Sequence, residues 1–361
     1  MQVLLNNSLF FHQKYGGVSR YSTCIIEELL KKKINIDVIA PIYKNNYLKN
    51  IKNLKLKGIY LPRYPNLQFL RNINLNLINN YKKKFRGNII HDLYYPEKLN
   101  NHNKKKILTI HDTIHEKFSD LYSDDHMKFR KEIIKNIDIF ICVSNNTKEN
   151  LKEYYKVADD KIFVISHGYN HLNNIDTNNS LVQNISNKPY ILYVGGRLKY
   201  KNFKLLIEAY SKNKRIQNEF NIICYGGEKI SEDERNNFRK FGIEKNIIKI
   251  DGNDNILKQL YLNAKLLVST SMYEGFGMTI LEAVSLKCPV LANNIKVFKE
   301  IYKDSINYYE FNTLDSLIYQ LEEILINQKY SINEETLNNL LSENNWKNSA
   351  NKTIQIYNLL N

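Results

Sequence analysis

The sequence predicts an α/β chain of two Rossmann-like, doubly wound domains facing each other across a cleft. Three observations carry that expectation. Short apolar runs such as Ile137–Ser144 and Lys265–Thr270 are continuous rather than alternating, as in parallel strands buried on both faces. Stretches with helical spacing fall between most of these runs, which is the rhythm of a doubly wound sheet. A polar, Asn-rich segment without sustained periodicity, His171–Lys188, splits the series in two and reads as an interdomain linker. A chain of 361 residues has room for two such domains.

In the first half, residues 1–170, Gln2–Asn6 reads as a strand and Val18–Lys33 as an amphipathic helix. Further strands are expected at Ile34–Pro41, Lys55–Pro62, Asn88–Tyr94, Lys106–Asp112, Ile137–Ser144 and Lys161–His167. The second domain, residues 189–330, is more regular. Strands are expected at Tyr190–Gly195, Phe220–Tyr225, Asn246–Asp251, Lys265–Thr270 and Pro289–Asn293. Helices are expected at Asn202–Lys212, Ser231–Phe241, Asp254–Asn263, Met278–Lys287 and Thr313–Asn327. Residues 331–361 form a helical tail, Ile332–Leu360, broken near Asn344–Asn345 and expected to pack back on the first domain.

Composition excludes several classes. Hydrophobic residues make up 43% and charged residues 25%, which is globular rather than disordered. No apolar stretch approaches the roughly 18 residues of a membrane span, and Met1–Asn6 lacks the basic flank of a secretory signal. Cys24, Cys142, Cys224 and Cys288 are scattered among apolar neighbours, which argues against a disulfide framework and a zinc module and points to the cytosol. Net charge is +15, of which residues 1–170 hold +13. A basic half implies an anionic partner, although an AT-rich coding bias accounts for part of the lysine excess.

Ser269–Asn293 is the most informative stretch. A strand runs into the loop Glu274-Gly275-Phe276-Gly277 and then into a helix opening at Met278. Glycines there let backbone approach a ligand, and the helix N-terminus offers N–H groups to a phosphate. Glu274 sits on the loop, and Glu282 about one turn into the helix. Carboxylates placed so suit sugar or ribose hydroxyls, being pure acceptors. The bland alternative, a strand–turn–helix with two solvated glutamates, fits poorly with Glu282 between Leu281 and Ala283.

This stretch resembles the E-x7-E signature of the retaining nucleotide-sugar glycosyltransferases of the GT-B fold, family 4. Other segments resemble that family in its order. They are Tyr15-Gly16-Gly17-Val18-Ser19-Arg20-Tyr21, Ile110-His111-Asp112, and Cys142-Val143-Ser144 with Thr147-Lys148. Val164–Gly168, Tyr193-Val194-Gly195-Gly196-Arg197 with Lys201-Asn202, and Asn345-Trp346-Lys347 complete the set. The glycine pairs alone are weak signals; the ordered set is specific. Departures at Thr279, Cys288 and His167, where many members carry Pro, Gly and Asn, bear on subfamily and remove no charged group.

The resemblance implies an acceptor-binding first domain and a second domain that binds a UDP- or GDP-sugar. Arg197 and Lys201, after a strand and at a helix start, would reach one phosphate and offset the charge of the leaving group. Asn202, Gly275, Phe276, Gly277 and Met278 would line the donor, and Glu282 would hold the ribose. Glu274 would act at the sugar. His111, beside Asp112, would hydrogen-bond the transferred sugar without serving as general base. Gly16-Gly17 would form a backbone wall near the diphosphate. No cofactor is implied, and no DxD pair for a divalent metal stands out, so the expected clamp is metal-free.

Leu67, Leu70, Ile73, Leu77, Tyr81 and Phe85 recur at helical spacing ahead of Lys82-Lys83-Lys84 and Arg86. They read either as a surface for anionic lipid on the inner membrane face or as a core-facing helix with a solvated basic end. The expected function is hexosyl transfer, mannosyl among the options, to a growing, lipid-linked O-antigen or capsule glycan. A GT-B epimerase or phosphorylase is the alternative, though no lysine is singled out for pyridoxal phosphate. A basic nucleic-acid-binding protein is the third reading, and no signature of a common nucleic-acid module supports it.

Overall fold

The computed structural model describes residues 1–64, 67–98, 103–173, 175, 186–197 and 199–361. Most of the expected linker, 171–188, therefore lies outside the described residues. The chain divides into two compact units, Met1–Gly168 with Asn344–Asn361, and Tyr169–Glu343.

The first unit runs β1 Val3–Asn6, α1 Leu9–His12, α2 Gly17–Lys31, β2 Ile36–Tyr43, α3 Asn46–Lys49, β3 Leu56–Tyr60, α4 Leu67–Lys84, β4 Ile89–Asp92 and β5 Lys105–Ile110. It continues with α5 Ile114–Lys117, α6 Asp124–Lys135, β6 Ile139–Cys142, α7 Asn145–Tyr155 and β7 Ile162–Val164. Its strands pair in parallel in the order β3-β2-β1-β4-β5-β6-β7. The order reverses between β1 and β4, the switch point of a doubly wound sheet. β1, β4 and β6 are buried throughout, which explains their unbroken apolar runs. Local chemistry starts the helices: Ser123 and Ser144 accept from the N–H groups of His126 and Thr147 and cap α6 and α7.

The second unit runs β8 Tyr190–Val194, α8 Phe203–Lys212, α9 Lys214–Glu219, β9 Asn221–Tyr225, α10 Glu232–Lys240, β10 Ile247–Ile250, α11 Asp254–Asn263 and β11 Leu266–Ser269. It ends with α12 Met278–Ser285, β12 Val290–Asn293, α13 Lys296–Tyr302, β13 Asn307–Tyr309, α14 Leu314–Leu325 and α15 Glu334–Glu343. These strands are also parallel, in the order β10-β9-β8-β11-β12-β13, with the reversal between β8 and β11. One core gathers Ile191, Ile222, Leu266 and Leu291 from the sheet against Leu206, Tyr210, Leu317 and Leu321 from α8 and α14. The last helix, α16 Trp346–Leu359, is capped by Asn345 and belongs to the first unit. There Ser349 Oγ donates to the Ser166 carbonyl at 2.7 Å, and Trp346 is buried. The helical tail thus divides at Glu343, α15 staying with the second unit.

Two expectations need correction. β5 ends at Ile110, so His111 and Asp112 lie just past the strand, at its carboxyl end. More consequentially, the inward face of α4 carries Asn74, Ile78 and Lys82, spaced by four; of the expected stripe Phe85 is buried and Tyr81 packs on the same core, as the core-facing reading expects, whereas Leu77 is exposed. Lys82 is 1% exposed and pairs with Asp92 Oδ1 at 2.6 Å, so it does not belong to the solvated cluster of Lys83, Lys84 and Arg86. The cause is Asn74, whose Oδ1 accepts from Ile42 N–H at 2.8 Å, and Asp92, which needs a cation. Polar partners on the sheet thus bring two polar side chains inward beside the apolar ones. Among the described residues no helix is long and apolar enough to cross a membrane.

Candidate active site

Within the second unit, the loops that leave the carboxyl ends of β8, β11, β12 and β13 are tied together by hydrogen bonds. Thr270 Oγ1 donates to the Lys201 carbonyl at 2.8 Å, and Met272 N–H to the Tyr200 carbonyl at 2.8 Å. Asn293, fully buried at the end of β12, donates to the Ser271 carbonyl at 3.0 Å and accepts from Asn312 N–H at 3.0 Å. Asn202, in a left-handed conformation at the start of α8, donates to Asn312 Oδ1 at 2.6 Å.

This framework brings Lys201 and Glu274 together across the β8/β11 switch point. Lys201 Nζ lies 2.5 Å from Glu274 Oε1, and Ser271 Oγ donates to the same oxygen at 2.7 Å. Neither side chain is fully buried, at 24% and 17% exposed, so both remain within reach of a ligand. The loop then turns through Gly275 and the buried Phe276 to Gly277, which has φ +96°. A Cβ there would lie 2.6 Å from the Phe298 ring, so both conformation and space call for glycine. Met278 opens α12, which no side chain among the described residues caps at Gly277. Its first-turn N–H groups and dipole suit an anion.

Arg197 is engaged by a carboxylate that the sequence did not point to. Its Nε donates to Glu234 Oε1 at 2.6 Å and its Nη2 to Glu234 Oε2 at 3.3 Å, with further bonds to the carbonyls of Glu228 at 2.6 Å and Lys229 at 3.1 Å. Burial opposes its charge, but Glu234 more than compensates and holds its pKa above the ordinary value. Arg197 and Lys201 therefore have separate carboxylate partners.

Glu282 is buried, and both its oxygens are engaged. Oε2 accepts from the Tyr261 hydroxyl at 2.9 Å, and Oε1 lies 3.1 Å from His171 Nε2. The apolar flanks that marked Glu282 in the sequence are the flanks of a buried carboxylate, and its partners come from α11 and from the turn at residues 170–172.

Four expected site residues belong to the first unit. Gly16 precedes α2 and Gly17 opens it. His111 is buried, and its Nε2 donates to the Leu93 carbonyl at 2.9 Å. That bond fixes the tautomer and leaves Nδ1 an unprotonated acceptor, buried and without a hydrogen-bond partner among the described residues. Burial pushes the His111 pKa down to about 4, so the ring is neutral near pH 7. Asp112 Oδ1 accepts from Ile114 N–H at 3.0 Å and so shapes the turn into α5.

Sequence reasoning missed Ser271, Asn293, Tyr261, His171 and Glu234. A signal existed only for Glu234: Ser231-x-x-Glu234 has the spacing of a capping box, and the structure forms it at the start of α10.

The family description "Glycosyl transferases group 1" matches residues 176–345, and "Glycosyltransferase Family 4" matches residues 15–171. A glycosyltransferase of Methanocaldococcus jannaschii is 26% identical over 271 residues, 70% of this chain and 68% of its own length. The O-antigen chain mannosyltransferase of Salmonella typhimurium is 28% identical over 233 residues, which are 57% of this chain and 61% of that relative. The chain thus spans about three fifths to two thirds of these curated relatives. An Anabaena protein crystallised with UDP-glucose shares the fold, with TM-score 0.75 at 14% identity over the whole of both chains.

Proposed function

Because the chain belongs to the group 1, family 4 glycosyltransferases of the GT-B fold, we propose a retaining hexosyl transfer. A hexose, mannose first among the candidates, passes from a UDP- or GDP-sugar to a growing, lipid-linked surface glycan. The observation that most supports this reading is the Lys201–Glu274 contact across the β8/β11 switch point. It places a cation and a carboxylate side by side where ligands of such sheets bind. The cation suits the diphosphate, on which negative charge grows as the sugar leaves. The carboxylate suits the sugar as it gains oxocarbenium character.

Arg197, Lys201 and the N–H groups opening α12 supply positive charge at the leaving group, and the transfer runs without a metal. On the pattern of the family, His111 hydrogen-bonds the transferred sugar and is not the general base. The departing phosphate takes the acceptor proton, so no side chain is needed as base. The likeness to an O-antigen mannosyltransferase supports mannose and a surface glycan, and the UDP-glucose held by the Anabaena protein supports a nucleotide-sugar donor. The +13 charge of residues 1–170, with Lys83, Lys84 and Arg86 exposed, supports attachment to an anionic inner-membrane surface.

A panel of UDP-, GDP- and TDP-sugars tests the reading, with nucleoside diphosphate release followed with and without lipid-linked glycan and the product anomer read by NMR. Acceptor-dependent release and a retained configuration are expected. An inverted product, or release from none of the donors, would end the proposal.

A further inference from the structure

The structure assigns to Glu234 a role that the donor chemistry does not require of it by itself: we propose that it is the positioning residue of Arg197. The inference rests on the donor-site reading above. Glu234 comes from α10, behind β9, while Arg197 follows β8, and the two loops that join these elements are in close contact. A Cβ on Gly227 would lie 2.6 Å from the Gly195 carbonyl oxygen and 2.9 Å from Gly196 Cα. The loop carrying Arg197 is thus laid directly on the loop that leads into α10.

Within that contact the guanidinium is fixed on two sides. Nε and Nη2 engage the Glu234 carboxylate, and Nη2 also meets the carbonyls of Glu228 and Lys229. Only Nη1 is left over; it is buried and has no hydrogen-bond partner among the described residues. The Arg197 side chain is 4% exposed, so this orphaned donor is held in place rather than moving through solvent. A buried donor without an acceptor is costly unless a ligand supplies one. Glu234 is itself pinned, since Ser231 N–H donates to its Oε2 at 2.8 Å and its own N–H donates to Ser231 Oγ at 3.2 Å. One carboxylate therefore closes a capping box and fixes the plane of the Arg197 guanidinium in the loop that follows β8.

The fork could also be a mere structural tie of the α10 start, and kinetics distinguishes the two. Turnover of the donor that the nucleotide-sugar panel identifies is measured for Arg197→Ala, Glu234→Ala, Glu234→Gln, the Arg197→Ala/Glu234→Ala pair and Ser231→Ala, with thermal melts on each. Loss of alignment is expected to lower kcat of Glu234→Ala by about 10- to 100-fold with little change in donor KM. The double variant should be no slower than Arg197→Ala, because Glu234 acts only through the arginine. Ser231→Ala removes the cap yet keeps the fork, so it should lower the melting temperature and leave kcat alone. Glu234→Gln retains most of the cap and should still lose kcat, which guards against a Glu234→Ala that fails to fold. An impaired Arg197→Ala beside Glu234 variants with wild-type kcat would overturn this inference alone. Arg197→Ala at wild-type kcat would overturn the donor-site reading and this inference with it.

Discussion

The Tyr261 hydroxyl donates to Glu282 Oε2 at 2.9 Å, so the carboxylate expected to hold a ribose is also a buried structural acceptor. Removing it takes the acceptor from the fully buried Tyr261 hydroxyl and ends the Glu282 contact with His171. Glu282→Ala is expected to lose about 1–3 kcal/mol of stability, the cost of an unsatisfied buried donor, and to raise donor KM more than it lowers kcat. Urea titration together with steady-state kinetics checks both. Unchanged stability would mean that the Tyr261 and His171 contacts carry no weight.

Lys82 and Asp92 form a buried pair beneath the β1/β4 switch point, with Asn6 donating to the same Asp92 oxygen at 2.7 Å. Lys82→Ala strands the Asp92 charge and should cost about 3–5 kcal/mol. Lys83→Ala and Lys84→Ala, on the solvated side, should stay within about 0.5 kcal/mol of the parent. Flotation with anionic and neutral vesicles should show the reverse. Loss of binding is expected for the combined Lys83→Glu, Lys84→Glu and Arg86→Glu variant, and binding should fall as salt rises. Equal recovery on neutral and anionic vesicles would leave the charge asymmetry as coding bias.

The contrast between α4 and α12 explains how far the sequence could be read. Strands buried on both faces announce themselves as apolar runs, and the α12 region was legible because Gly277 and the helix start are local requirements. α4 misled in part because Asn74 and Lys82 turn inward to partners on the sheet, Ile42 and Asp92, which no periodicity reports. The short α13 and β13 went unread for a related reason: they are too brief to repeat a pattern. In the site, Lys201 and Glu274 were identified separately, but their contact depends on strand order. The Arg197–Glu234 fork spans 37 residues and needs the β8–β9 pairing to form.

The first unit buries His91, His111 and His167 in neutral form. Burial lowers the pKa from 6.5 to about 3 for His91 and to about 4 for His111, and drives His167 well below its ordinary value. Since the folded pKa lies below the unfolded one in each case, the unfolded chain takes up the extra protons as pH falls. Stability is therefore full above about pH 6.5 and declines toward pH 4, by about 1.4 kcal/mol per pH unit for each such histidine. Denaturant titrations from pH 7 to 5 check this. His91→Asn should flatten the slope by about one proton while lowering stability at pH 7, because Tyr357 and Thr109 lose a partner.

The proposed clamp of Arg197 and Lys201 at the leaving group predicts transfer that persists in EDTA at an undiminished rate. Activity lost in EDTA and restored by Mg²⁺ or Mn²⁺ would place a metal in the reaction instead.

The central claim is that the donor is held and activated where the β8 and β11 loops meet, and the kcat of Lys201→Ala tests it most directly. On this claim the ammonium would meet charge that grows only as the sugar–phosphate bond breaks, so its loss should lower kcat on the order of 10²–10³-fold with a smaller effect on donor KM. A correctly folded Lys201→Ala that turns over at the wild-type rate would contradict the account.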